Sequence, residues 1–100
     1  MSRFVVGILP AAEDEFREAF LWYLERSRSA ADMFRALVID VIDSLADDAD
    51  RWPVEVQGLH FRVLARFPYT IWYEIEGSQV NVMAIAHQHR RPHYWKNRGG

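Results

Sequence analysis

The run from Met33 to Leu45 constrains this chain more than any other segment. Met33, Phe34, Leu37, Val38, Val41, Ile42 and Leu45 recur at i, i+1, i+4, i+5 and i+8, while Arg35, Asp40, Asp43 and Asp47 fall off the stripe. That spacing makes one face of a helix apolar, and such a helix is stable in water only when a second layer covers that face. With 14% aromatic and 50% hydrophobic residues, the rest of the chain can supply the layer. One hundred residues leave room for one domain, so residues 1–100 are read as a single unit.

The remaining periodicities fall on either side of that helix. Arg3 to Leu9 is rich in β-branched residues and reads as a strand. Pro10 opens a first helix reaching about Arg26, with Glu13, Asp14 and Glu15 near its N-terminus and Ala12, Phe16, Ala19, Phe20 and Tyr23 on its apolar face. Ser29 is expected to cap the second helix, with Asp32 at the capping-box distance. That helix should stop before or within Asp47–Asp50, whose charges oppose its dipole. Residues 51–58, with Pro53 and Gly58, read as loop.

Period-two segments follow at Leu59–Phe67, Tyr69–Ile75 and Gln79–Ala86, with a turn at Gly77-Ser78. The first of these is expected to set Phe61, Val63 and Ala65 against Arg62 and Arg66. The last is expected to set Val80, Val82, Ala84 and Ala86 against Asn81, Met83 and Ile85, and to be central. The sequence thus predicts an α+β domain of order β-α-α-β-β-β. A two-helix hairpin would pack on one face of a mostly antiparallel four-stranded sheet, with the first strand at an edge and a basic C-terminal tail.

The net charge of −2 conceals an asymmetry. Residues 10–50 hold eleven acids against four arginines, a balance of −7, whereas residues 59–100 hold six bases against two acids, a balance of +4. A two-signed molecule can present a cationic face to an anionic partner, or its charges can simply solvate two faces. The absence of cysteine excludes disulfides and thiolate metal sites, and a cytoplasmic setting is expected. No apolar run approaches the ~20 residues of a membrane span, so no membrane contact is expected. There is no phosphate-binding loop, dinucleotide fingerprint or nucleophile motif, and no cofactor is expected.

Chemistry-bearing residue types concentrate in His87-Gln88-His89-Arg90-Arg91-Pro92-His93-Tyr94-Trp95-Lys96-Asn97-Arg98. Four readings compete. The histidines His87, His89 and His93 lack neighbouring acids or cysteines, so no metal site is expected. Acid–base cleavage of RNA would use His89 as acid, Arg62, Arg66, Arg90 and Arg91 on phosphate, and Tyr94 or Trp95 on a base, with Glu55 the only tempting carboxylate. Non-catalytic binding would use the same arginines and aromatics to grip a protein. Finally, Tyr94 and Trp95 can simply cap the core while the charges face water.

The pattern Arg62-x₄-Phe67-Pro68-Tyr69-x-Ile71-x-Tyr73, then Val80-x-Val82, then Ala86-His87-x-His89-Arg90-Arg91-Pro92-x-Tyr94-Trp95-x₂-Arg98 resembles the RelE/ParE toxin superfamily. The opening Leu9-Pro10-Ala11-Ala12-x₃-Phe16 and the helical hairpin match as well. The resemblance implies the toxin of a type II toxin–antitoxin module, which arrests growth and is neutralised by a co-encoded antitoxin. ParE-like members inhibit DNA gyrase by binding. RelE-like members are ribosome-dependent mRNA endoribonucleases, working here without metal through His89, Arg62, Arg90 and Tyr94. Thr70 stands where RelE-type enzymes carry a strand arginine, and Val63 or Leu64 where they carry a lysine, so the ParE-like reading leads. Arg62, Arg66, Arg90, Arg91, Tyr94 and Trp95 are then the expected partner-binding residues. The implied partners are the cognate antitoxin and either gyrase or the ribosome with its mRNA, in a homodimer or a toxin–antitoxin heterotetramer.

Overall fold

The helix built on the Met33–Leu45 stripe is the backbone of the domain in the computed structural model, which describes residues 2–52, 54, 58–89, 94, 95 and 98. The elements run β1 (Val5–Ile8), α1 (Pro10–Leu24), α2 (Arg28–Asp48), a 3₁₀ turn (Ala49–Arg51), β2 (His60–Val63), β3 (Tyr69–Glu76) and β4 (Gln79–His87). Pro10 occupies the first turn of α1, where its missing N–H costs nothing. The cap of α2 is Ser27 rather than the expected Ser29. The Ser27 hydroxyl accepts from the Ala30 amide at 3.2 Å, and Ser29 already lies in the first turn. As expected, α2 ends within the acidic run, at Asp48.

The sheet has the order β1-β4-β3-β2. The pairs β2–β3 and β3–β4 are antiparallel, and the edge strand β1 lies parallel to β4, so the sheet is mixed. Chain reversal between β3 and β4 falls on Gly77-Ser78, where Gly77 supplies a φ of 61°.

A β-bulge decides what each face of β4 carries. Tyr73 pairs with Val82 but Trp72 pairs with Ala84, which leaves Met83 as the extra residue. The expected alternation of Val80, Val82, Ala84 and Ala86 is therefore broken in the middle. Val80, Val82 and Ile85 join the core under the helices, with Ile71, Tyr73, Phe34, Val38, Val41 and Leu45. Ala84 and Ala86 join Met83, Trp72 and Trp95 in a second core on the opposite face. The helical hairpin covers one face of the sheet, and part of the C-terminal segment covers the other.

Phe34 anchors the larger core. It is fully buried, with the rings of Phe16, Tyr23, Phe67 and Tyr69 at 5.3–5.7 Å. Aromatic side chains packed at these distances dominate the stability of a small core. The β2 strand is shorter than expected, ending at Val63. Phe61 tilts against Trp72 at 5.1 Å on the tail-covered face, whereas Val63 is exposed.

Candidate functional site

The strand β4 outruns its parallel neighbour. β1 stops at Ile8 opposite Val82, so the edge of β4 beyond that point has no strand to satisfy it. Side chains close it instead. The Ile85 amide donates to Glu15 Oε1 at 3.0 Å, and Arg98 Nη1 donates to the Met83 carbonyl at 3.3 Å. An edge strand filled in this way is also unavailable for non-specific strand addition.

Glu15 is the centre of this arrangement. It sits in α1 three residues after Ala12 and four before Ala19, both buried, which turns its carboxylate inward onto β4. Besides the Ile85 amide, it accepts from the Tyr94 hydroxyl and from Arg98 Nη1 at 2.8 Å. Only 9% of the Glu15 side chain is exposed, against 23% for Arg98. Charge-assisted bonds in a partly dry setting are the stronger kind. Arg98 also lies 5.1 Å from the Tyr94 ring centre. Trp95 completes the attachment: it is 1% exposed, its ring 4.8 Å from that of Trp72. Sequence reasoning missed Glu15; its place on the Ala12–Ala19 stripe was the available signal.

The other expected site residues are dispersed. Arg62 does not share a face with an open working surface: its guanidinium lies 3.8 Å over the Trp52 ring and donates to Ser44 of α2 at 3.0 Å. Arg66 is exposed, in a left-handed turn at φ 69°, with Met33 Sδ 3.4 Å from its guanidinium. Neither arginine meets a carboxylate among the described residues. His89 is exposed beyond the end of β4, and its backbone N–H donates to His87 Nδ1 at 3.1 Å. That contact puts the proton of a neutral His87 on Nε2. Arg62 is two strands from β4, about 10 Å across the sheet, and is not brought together with His89. Thr70, at the position discussed for a strand arginine, is buried between Val63 and Ala86. Arg90, Arg91, His93 and Glu55 lie outside the described residues. No group of three or more His, Cys, Asp or Glu among the described residues is arranged to hold a metal ion.

Between α1 and the end of the sheet lies an open cleft of about 510 Å³. Glu15, Glu18, Trp22, Tyr23, Tyr69 and His87 are among its lining residues. Burial raises the Tyr69 hydroxyl above its ordinary pKa, with Tyr23 and the carboxylates of Glu15 and Glu18 adding to the effect.

The sequence model of the ParE toxin of type II toxin–antitoxin systems matches residues 6–92. This chain belongs to the ParE toxin family. Among solved structures, the chromosomal ParDE toxin–antitoxin system of P. aeruginosa matches with a TM-score of 0.74 over 85% of this chain and 96% of that chain, at 16% identity. Comparison with curated protein sequences gives no match. The toxin is thus one half of a type II module, and its partner is a cognate antitoxin. In this ParE-family member, the covered edge of β4 and the buried Trp95 form the seat of the C-terminal segment. No helix among the described residues is long and apolar enough to cross a membrane.

Proposed function

We propose that this ParE-family toxin arrests growth in the bacterial cytoplasm by binding DNA gyrase, without catalysis, through its basic C-terminal segment. The observation that carries this reading is the attachment of that segment. Glu15 holds Tyr94 and Arg98, and Trp95 is buried, so the segment is fastened to the fold at these three residues. Pre-ordering a binding segment lowers the entropy lost on association. The dispersal of Arg62 and His89 also favours binding over the RelE-like ribonuclease chemistry, which needs acid, base and cations around one phosphate.

The same reading gives the antitoxin an acidic segment that folds onto Arg66, Arg90 and Arg91. Arg90→Glu combined with Arg91→Glu then weakens antitoxin binding or toxicity, and wild-type values of both in a folded double variant would contradict it. Induction in a bacterial host lacking the antitoxin, read in parallel for mRNA integrity and plasmid topology, tests the target. The proposal predicts intact mRNA with altered supercoiling; rapid mRNA loss with normal supercoiling would replace it with the ribonuclease reading.

A further inference from the structure

The cleft beside α1 has a chemistry opposite to that of the tail. Glu15, Glu18 and Trp22 stand at i, i+3 and i+7 and so share one face of α1. The rings form a continuous arc of edge-on contacts: Trp22 with Tyr23 at 5.0 Å, Tyr23 with Tyr69 at 6.5 Å, and Tyr69 with His87 at 5.1 Å. Trp22 is 51% exposed, an unusual position for the largest apolar side chain. The Glu18 carboxylate is exposed and has no ion-pair or hydrogen-bond partner among the described residues, and the Tyr23 and Tyr69 hydroxyls have no hydrogen-bond partner among them either.

Aromatic faces beside a carboxylate attract cations. Guanidinium suits such a site better than ammonium, because it is planar, weakly hydrated and able to stack while it bonds a carboxylate. The chain itself uses this chemistry on both sides of Glu18. The Arg26 guanidinium lies 3.7 Å over the Trp22 ring, and Arg98 pairs with Glu15 beside the Tyr94 ring. Glu18, between them, has the same surroundings and no arginine of its own among the described residues. Further exposed acids are Glu13 and Asp14 in α1, the latter paired with Arg17, and Glu25 at its C-cap, 3.7 Å from Arg26.

We propose that this cleft is a docking site for an arginine side chain carried on a basic segment of a partner protein. The guanidinium pairs with Glu18 and stacks within the Trp22–Tyr23–Tyr69 arc. The site is independent of the gyrase reading: it needs only α1 and the end of the sheet.

The test is a ¹H–¹⁵N NMR titration of the full chain with three blocked tripeptides: acetyl-Gly-Arg-Gly-amide, its Lys counterpart and its Glu counterpart. The proposal predicts saturable shifts at the Trp22 indole and at the Glu18, Tyr69 and His87 amides with the Arg peptide, weaker binding of the Lys peptide and none of the Glu peptide. Glu18→Gln, at an exposed position that leaves the fold intact, should weaken Arg-peptide binding about threefold or more, and Trp22→Ala should do the same. Shifts that spread over the surface without saturating, or Arg-peptide binding unchanged in Glu18→Gln, would overturn it.

Discussion

Glu15 in α1 and Arg98, 83 residues later, meet at 2.8 Å across the end of β4. The pair closes a strand edge that the sheet itself leaves open, and it ties the C-terminal segment to the first helix. Because the Glu15 carboxylate also takes the Ile85 amide and the Tyr94 hydroxyl, its loss strands several donors at once. Glu15→Ala is predicted to destabilise the domain by about 2–3 kcal/mol, below the range for a fully buried pair because Arg98 keeps some access to water. Thermal unfolding should fall by about 10 °C or more, and amide exchange should rise first at Ile85 and around Tyr94. An unchanged melting temperature would mean the carboxylate is not the anchor.

Tyr73 gives a pH dependence with a definite sign. Its ring is fully buried, its hydroxyl donates to the Ala49 carbonyl at 2.6 Å, and burial pushes its pKa up to about 12. The folded state therefore holds this proton more tightly than the unfolded chain, whose tyrosines titrate near ~10. Its contribution is fully present below the unfolded value and is lost as pH rises from about 10 to about 12. Tyr73→Phe should lose about 1 kcal/mol at neutral pH and flatten the alkaline decline, measured by urea denaturation across that range. A variant with the same alkaline decline as the wild type would assign that decline to other groups.

Ser27 tests the helix boundary. Removing the hydroxyl that accepts from the Ala30 amide should cost about 1 kcal/mol in Ser27→Ala, seen as a lower urea midpoint at constant slope. Ser29→Ala should cost less. The reverse order would return the cap to Ser29.

Arg66 offers a charge deletion with little structural cost. At φ 69° a side chain is strained, so in Arg66→Gly the relief offsets glycine's extra freedom in the unfolded chain, and stability should stay within about 1 kcal/mol of wild type. Weaker binding of the antitoxin by this variant would assign Arg66 to that contact; unchanged affinity would make it a solvated charge.

The element order and the two helices were legible because their hydrophobic periods are long and regular. The direction of β1 was not, since apolar alternation says which residues are buried and nothing about whether the neighbouring strand runs up or down. Nor was the Met83 bulge, which changes the facing of Ala84 and Ala86 without altering composition. In the candidate site, sequence grouped residues by proximity along the chain, so the tail stood out whereas Glu15 was lost among Glu13, Asp14 and Glu18. Arg62 was legible as a cation but not as one stacked over Trp52 and bonded to Ser44, because both contacts join distant segments.

The central claim is that this ParE-family toxin acts on gyrase by binding. Its most direct test is gyrase-catalysed supercoiling of relaxed plasmid by purified components, with the toxin titrated in and the antitoxin added back. The account predicts dose-dependent loss of supercoiling, restored by the antitoxin and diminished in Glu15→Ala at a temperature where that variant is folded. Full supercoiling at toxin excess, with the same preparation arresting growth in cells, would contradict it.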